Sequence, residues 1–221
     1  MLDRLRIEVA EALHALAESG LVHGTSGNVS GRQDDLIAIK PSGVSYEKIT
    51  PDSLVVVDLA GHTVHGTLSP SVDTAAHLHI YRNAPEVRGI VHTHSTFATV
   101  FAALGRPIPA VLTELADLFG GPIPISAYVP PGDEAIGREF AMRTASGRYR
   151  ALLMRSHGVF TAGRSPADAL KAAIVVEHAA QIVYLAERAG TLCGIDSNEV
   201  KHLHEKYLRG YGQSSDGKVT E

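Results

Sequence analysis

Cysteine and tryptophan are scarce in this chain of 221 residues, which has no tryptophan and one cysteine, Cys193. A single cysteine cannot form a disulfide within the chain, and this favours a reducing compartment such as the cytoplasm. The first 20 residues carry acidic and basic side chains throughout, unlike a secretory signal peptide. No stretch approaches the roughly 18 uninterrupted apolar residues of a membrane span. We therefore expect a cytoplasmic protein that does not enter a membrane.

An excess of positive charge is also missing. The chain has 20 Lys and Arg residues against 24 Asp and Glu residues, a net charge of -4 with neutral histidine. Proteins that bind nucleic acids rely on basic surfaces, so this balance argues against a nucleic-acid partner. Apolar residues make up 44% of the chain and charged residues 20%, a composition that can bury a core.

The order of periodic segments predicts a single α/β domain in which α-helices flank a central mixed or antiparallel β-sheet. The length suits one large domain rather than two. The early strand candidates follow one another without a helix between them, which excludes a run of βαβ units. We expect the domain to cover residues 1–210 and the polar, glycine-rich residues 211–221 to form a flexible tail.

Individual segments are predicted from their hydrophobic period. Apolar runs rich in β-branched residues predict strands at 36–40, 53–59, 62–66, 87–94 and 123–129, and a bent strand pair at 150–163. Helical periods predict helices at 2–20, 71–83, 95–105, 132–146 and 165–190, and a last helix that begins near Asp196.

Twelve histidines are the unusual feature of the composition, and three of them occupy positions that suit metal binding. His92 and His94 lie two residues apart at the end of an apolar strand, so their side chains point to the same face. Such a pair suits Zn²⁺ or Mn²⁺, although it also occurs as ordinary strand-end residues. His157 interrupts an apolar run directly before Gly158, a glycine that permits close approach, and it could equally be a turn residue.

Asp73 stands at the mouth of a predicted helix. An aspartate there is commonly a helix cap, or is favoured by the helix dipole, so its position alone does not indicate chemistry. Two loops, GTSGNVS at 24–30 and KPSGV at 40–44, combine glycines with hydroxyl and amide groups. Such loops turn backbone N–H groups towards an anion, and Lys40 adds a point charge for a phosphate.

Taken together, these motifs resemble the class II aldolase/adducin family. The resembling stretches are GTSGNVSGR, IKPSGVSYEKITPDSLVVVDLAG, SPSVDTAAHLHIYRNAPEVRGIVHTHSTFAT and LLMRSHGVFTAG, in the family's order from about residue 20 to 190. The resemblance implies a divalent-metal sugar-phosphate enzyme, usually a homotetramer with active sites between neighbouring subunits. It implies Zn²⁺, or Mn²⁺, held by His92, His94 and His157. It also implies a phosphate pocket made by Asn28, Lys40, Ser42, Gly43 and Ser71.

Within the family, the chain resembles the L-ribulose-5-phosphate 4-epimerase branch most closely, followed by the L-fuculose-1-phosphate aldolase branch. Asp73 stands where the aldolase branch usually has glutamate, and could be a fourth metal ligand or an acid/base. Asp117 matches a proposed acid/base contributed by the neighbouring subunit, and Thr113 and Glu139 fall at matching offsets in the substrate site. Tyr211 resembles a catalytic tyrosine near the epimerase C-terminus.

Two departures from the epimerase pattern concern the substrate. Val72 replaces a second phosphate-binding serine, and Lys206 replaces a C-terminal histidine. The chemistry implied is cleavage of a carbon–carbon bond beside a ketone, followed by rejoining in an epimerase or by aldehyde release in an aldolase. Related dehydratases and decarboxylases are further alternatives. A non-catalytic adducin-like interaction domain is disfavoured because all three histidines are present.

Overall fold

The structure is a computed structural model that describes residues 2–144 and 150–210. Its centre is a seven-stranded sheet with the order β4-β3-β2-β1-β5-β7-β6, and every pair of neighbouring strands is antiparallel. The strands are β1 (Asn28–Gln33), β2 (Leu36–Ile39), β3 (Val55–Asp58), β4 (Thr63–His65), β5 (Gly89–Thr93), β6 (Ala151–Met154) and β7 (Gly158–Gly163). The predicted α/β class with a helix-flanked antiparallel sheet is confirmed.

Seven α-helices accompany the sheet in the described residues. They are α1 (Leu2–Glu18), α2 (Thr74–Asn83), α3 (Thr96–Leu104), α4 (Thr113–Phe119), α5 (Glu134–Thr144), α6 (Pro166–Ala189) and α7 (Ser197–Arg209). Ser165 caps α6 by accepting a hydrogen bond from the Asp168 N–H, and Asp196 caps α7 in the same way through Asn198.

Both faces of the sheet are buried because successive strand residues point in opposite directions. On one face, Val56 and Val91 pack with residues of α1 and α6. On the other face, Val57 and Ile90 pack with α2 and α5. A third cluster joins α3, α4 and α6 to the outer strands β6 and β7.

Three segment predictions differ from the structure. The strand expected at 123–129 is wrong: only isolated bridges form there, at Ile123 and Ile125. Pro122 and Pro124 lack backbone N–H groups, so this segment cannot make a continuous ladder. Residues 28–30, interpreted as part of the loop at 24–30, form the start of strand β1, and the short helix α4 was not predicted.

Helix α6 is the one helix of the described residues that is long and apolar enough to cross a membrane, with a mean hydropathy of 1.4 over an 18-residue window. Its apolar side chains are explained by packing within the domain. Ala169 and Ala173 pack against α1 and the sheet, while Val176 and Val183 pack with α3 and α4. The helix is therefore a core element of this fold.

Candidate metal and phosphate site

Neighbouring strand ends bring the predicted site residues together at one end of the sheet. Asn28 begins β1 and is the cross-strand partner of His92 in β5. His94 follows β5 directly, and His157 precedes β7, whose register pairs Thr93 with Val159. Because these neighbouring strands are antiparallel, the end of β5 meets the beginnings of β1 and β7.

The three histidines form a compact cluster, with one potential ligand atom from each within 4.8 Å of the others. The Nε2 atoms of His92 and His94 are 3.0 Å apart, and the His157 ring lies 4.8 and 4.9 Å from the other two ring centroids. His92 Nδ1 lies 3.0 Å from the Val159 carbonyl oxygen, to which a neutral ring donates its proton. This tautomer leaves the His92 Nε2 lone pair facing the cluster.

Burial keeps these imidazoles neutral. Desolvation places the pKa of His92 well below 6.5, and the neighbouring His157 and His94 rings lower it further. Desolvation also lowers the pKa values of His94 and His157, while the Asp73 carboxylate opposes both shifts. Neutral imidazoles are the form that ligates a metal.

The arrangement of nitrogen atoms in this cluster fits a divalent cation. The His92 proton is engaged at Nδ1, so the His92 Nε2 lone pair faces His94 Nε2 at 3.0 Å, and a cation bound by both rings would take the place of the proton between them. His157 Nδ1 is buried without a hydrogen-bond partner among the described residues. Imidazole nitrogens are ligands that Zn²⁺ and Mn²⁺ both accept, so the donor set does not choose between them.

Asp73 turns towards the cluster and not towards its own helix. It precedes α2, yet its side chain makes no capping hydrogen bond and is 5% exposed. Instead it accepts a hydrogen bond of 2.8 Å from Asn28 Nδ2 and lies 3.9 Å from His92 Nε2. The alternative that Asp73 is an ordinary helix cap is therefore wrong.

The predicted phosphate residues lie beside the histidines. Lys40 is 2% exposed, with its Nζ donating to the Thr25 carbonyl at 3.2 Å and lying 4.9 Å from the Tyr46 ring centroid. Burial lowers the pKa of Lys40. Ser71 accepts a 3.1 Å hydrogen bond from Asn28, which links this group to Asp73.

One cavity of about 500 Å³ joins the two groups. It is lined by His92, His94, His157, Asp73, Asn28, Lys40, Ser42, Gly43 and Ser71, together with Thr25, Ser26, Gly27, Pro41, Val72 and Pro131. The residues that the resemblance implied for the metal and for the phosphate therefore line one cavity. The sequence predicted the 24–30 loop as a possible anion site, but Thr25, Ser26 and Gly27 of that loop were not predicted individually as lining residues.

Gly158 allows the close packing of this cluster. A Cβ atom there would lie 2.4 Å from the Thr93 carbonyl oxygen and 2.8 Å from His94 Cδ2, distances that real Cβ atoms do not show. A glycine is required where backbone approaches this closely, as the sequence predicted for this position.

Three other predicted residues lie elsewhere in this chain. Thr113 is exposed at the start of α4, and Asp117 lies on the same helix, half-buried. Glu139 lies on α5, where it accepts a 3.1 Å hydrogen bond from Arg143. None of the three lines the cavity in the part of the chain that the structure describes.

The remaining predictions concern the substrate end and the C-terminus. Val72 lines the cavity with 68% of its surface exposed, and Lys206 is exposed on α7. Tyr211 and the tail predicted at 211–221 lie outside the described residues.

A buried polar chain beneath the site was not predicted as a unit. The Ser30 hydroxyl lies 2.7 Å from His77 Nδ1 and 2.8 Å from the Tyr81 hydroxyl. Desolvation lowers the pKa of His77 to about 3. Side chains alternate between the two faces of β1, and residues 77 and 81 lie about one turn apart on α2. These two patterns together could have indicated the polar chain.

A cluster of three neutral histidines at the end of an antiparallel sheet, next to a buried lysine, defines a site able to hold a divalent cation and an anionic group. The sequence profile of the Class II Aldolase and Adducin N-terminal domain matches residues 7–184, most of the chain. The protein belongs to the class II aldolase and adducin family.

Solved structures agree in fold. An L-fuculose 1-phosphate aldolase is 29% identical, with 93% of this chain and 96% of that chain covered and a TM-score of 0.86. YgbL from Klebsiella pneumoniae, provisionally described as an aldolase/epimerase/decarboxylase, is 26% identical over 92% and 99% of the chains, with a TM-score of 0.82. An L-fuculose-1-phosphate aldolase from Thermus thermophilus is 26% identical over 85% and 99%, with a TM-score of 0.69.

Proposed function

We propose that this protein is a divalent-metal-dependent sugar-phosphate enzyme that breaks and re-forms a carbon–carbon bond beside a ketone, acting as an L-ribulose-5-phosphate 4-epimerase. The observation that carries the proposal is the single cavity in which the three histidines and Asp73 adjoin the buried Lys40. One wall offers ligands for a cation and the other offers donors for a phosphate, so one small sugar phosphate could engage both.

The phosphate end depends on Lys40 and its surroundings. Its ammonium group is buried, so a dianion that entered would meet a charge with little competing water. The Gly43 turn and the Ser42 and Ser71 hydroxyls add neutral donors. Asn28 connects the two ends, since one amide group donates to both Ser71 and Asp73.

The metal end depends on His92, His94 and His157, which would hold Zn²⁺ or Mn²⁺. A cation there supplies positive charge where negative charge develops on the ketone oxygen. Three neutral imidazoles do not cancel that charge, and the Asp73 carboxylate, 3.9 Å from His92 Nε2, would accept a proton or add a fourth ligand.

The proposed reaction begins when a base removes the proton of the C4 hydroxyl. The C3–C4 bond then breaks, and its electron pair moves to the ketone end of the sugar while C4 becomes an aldehyde. Rotation of the aldehyde and re-formation of the bond on its other face give the epimer, and the C4 oxygen regains a proton. A base and an acid on opposite faces of the aldehyde are needed for this exchange.

We propose that those groups come from a second copy of the chain. Asp117 and Tyr211 are the candidates for acid and base, and Thr113 and Glu139 for substrate contacts. Asp117 and Thr113 lie on α4, outside the cavity of their own chain, so they could act only across an interface. A homotetramer with shared sites is therefore part of the proposal, as is a cytoplasmic location.

A second candidate is a class II aldolase acting on L-fuculose 1-phosphate. Two of the three solved proteins compared above carry that name, which favours it. Both reactions use the same metal end, and they differ in whether the aldehyde is retained. Asp73 in place of glutamate, together with the matches at Asp117 and Tyr211, favours the epimerase.

The test is to give the metal-loaded protein L-ribulose 5-phosphate and L-fuculose 1-phosphate in parallel. The epimerase proposal predicts D-xylulose 5-phosphate from the first substrate without free aldehyde. Dihydroxyacetone phosphate and an aldehyde from the second, with the first unchanged, would establish the aldolase instead. If neither substrate reacts and no divalent metal binds, the enzymatic proposal is wrong.

A further inference from the structure

The opposite end of the same strands holds a second, smaller cavity of about 230 Å³. Four arginines line it, namely Arg4, Arg32, Arg88 and Arg164. The single acidic residue in its lining is Glu8. This concentration of positive charge stands out in a chain whose net charge is -4.

Three of these arginines are neighbours across the ends of three adjacent strands. The Arg32 N–H donates to the Arg88 carbonyl at 2.8 Å, and the Arg88 N–H donates to the carbonyl of Gly163, the residue before Arg164, also at 2.8 Å. They therefore follow one another across β1, β5 and β7. Like charges in neighbouring positions of a sheet destabilise it, so the arrangement has a cost that an anion would relieve.

The acidic groups nearby lie 2.9 to 3.7 Å from three of the four arginines and leave Arg88 without a carboxylate partner in the described residues. Arg4 pairs with Glu8 at 2.9 Å, and Arg164 lies 3.7 Å from Asp168 with 89% of its side chain exposed. The Arg88 side chain has no hydrogen bond or ion pair within the described ranges 2–144 and 150–210, and it is exposed. At least one guanidinium group is thus available to a ligand.

Arg32 differs from the others because its side chain is held in place. It is 11% exposed, and it donates to the carbonyl oxygens of Asp34 at 2.6 Å and Tyr81 at 2.5 Å. Its nearest carboxylate, that of Asp35, is 3.7 Å away and 82% exposed. A fixed, little-hydrated guanidinium favours oxyanion binding because less freedom is lost when a ligand arrives.

The N-terminus of α6 faces the same cavity through Ser165 and Pro166. It is close to the sheet because residue 89 is glycine: a Cβ atom there would lie 2.2 Å from the Ser165 carbonyl oxygen. The positive end of this 24-residue helix adds to the field of the arginines.

We propose that this arginine cavity is a second anion site, distinct from the histidine cavity, that binds a compact phosphate group. Guanidinium groups match the paired oxygens of a phosphate, and the cavity is less than half the volume of the histidine cavity, which suits a single small oxyanion. The inference does not depend on the proposed reaction, because it uses neither the histidines nor Lys40.

Isothermal titration of the metal-loaded protein with inorganic phosphate tests the site. The titration compares the wild type, the Lys40→Met variant and two variants built on Lys40→Met. The first of these two adds Arg88→Gln and Arg164→Gln in the arginine cavity. The second is the control and adds Arg138→Gln and Arg209→Gln. The control removes two exposed arginines elsewhere, so the net charge of the two variants is equal. Lys40→Met weakens the other phosphate pocket, and the difference in binding between the two double-arginine variants then reports on the arginine cavity.

We expect Lys40→Met and its control to retain saturable binding that weakens with added salt. Arg88→Gln with Arg164→Gln should weaken it about tenfold or more. Equal binding by the two double-arginine variants would overturn the proposal, and so would the absence of saturable binding in Lys40→Met. Arg4→Gln, at the cavity's exposed rim, provides a further variant and should cause a smaller loss of affinity in the same direction.

Discussion

The two ends of strands β1, β5 and β7 carry opposite kinds of polar site. At one end the histidine side chains are neutral, partly or fully buried, and fixed by hydrogen bonds such as that from His92 to Val159. At the other end the arginines are charged, and Arg88 and Arg164 are exposed. The first end is built to exclude water around a cation, and the second to meet an anion from solution. Ligand binding at the first end should therefore depend mainly on geometry, and ligand binding at the second end mainly on ionic strength.

The largest expected effect is at the buried end. His94→Ala removes one of three convergent imidazoles, and two remaining ligands should not retain a divalent cation through dialysis. We expect metal content, measured by elemental analysis, to fall from about one per chain to near zero, with turnover falling below detection. His62→Ala, which removes an exposed histidine, is the control and should retain both. Full metal content in His94→Ala would contradict the site.

Asp73→Asn separates the two roles left open for that carboxylate. The amide keeps the shape and a hydrogen-bonding oxygen near Asn28, but it cannot accept a proton. If Asp73 accepts a proton near the metal, turnover should fall by about 10² to 10⁴ with metal content retained. We expect this result because three imidazoles suffice as a ligand set. Loss of metal equal to that of His94→Ala would make Asp73 a ligand instead.

Asp117→Asn tests whether a second chain completes the buried end. The residue lies outside its own cavity, so metal content should be unchanged, while turnover should fall by about 10². Mixing this variant with His94→Ala should restore part of the activity, since both halves are intact where the Asp117→Asn chain supplies the histidines and the His94→Ala chain supplies Asp117. Unchanged turnover in the variant would rule out the assignment of Asp117.

Gly158→Ala tests how tightly the buried end is packed. The added methyl group would overlap the Thr93 carbonyl, so we expect about 2 kcal/mol lower free energy of unfolding and weaker metal binding. Gly190→Ala is the matched control, because a Cβ atom there meets nothing within 4 Å. Denaturant titration of both variants, with metal titration alongside, gives the comparison. Equal free energies of unfolding for the two variants would show that the close approach of the Thr93 carbonyl to residue 158 does not exclude a side chain there.

The smallest effect is expected at the arginine end. Arg88→Gln removes the middle charge of the row Arg32, Arg88, Arg164, and should raise the free energy of unfolding by about 0.5 kcal/mol at low ionic strength without added phosphate. The gain should shrink as salt screens the row. A loss of stability at low salt would mean that neighbouring carboxylates already neutralise these arginines.

Much of the buried end was predictable because it depends on local rules. Strand alternation placed His92 and His94 on one face, and the apolar run around Gly158 identified the strand pair that carries His157. The proximity of His157 to the other two required the pairing of β5 with β7, which is set by packing between segments distant in sequence. The motif resemblance supplied that step.

Other features could not be predicted from local patterns. Strand β1 does not show a regular alternation of apolar residues. Ser30 belongs to the buried polar chain, and Gly31 packs closely against α1. Asp73 has the sequence position of a helix cap, and only the position of Asn28 shows that it turns away. The arginine row is invisible in sequence, because its three members are separated along the chain and meet only through the sheet register.

X-ray absorption at the metal edge, combined with anomalous diffraction from crystals of the metal-loaded protein, locates the bound cation and identifies its ligands. We expect a cation between His92, His94 and His157, with three nitrogen ligands at about 2.0–2.1 Å if the metal is Zn²⁺. A cation bound elsewhere, or a spectrum without histidine nitrogen ligands, would contradict this expectation.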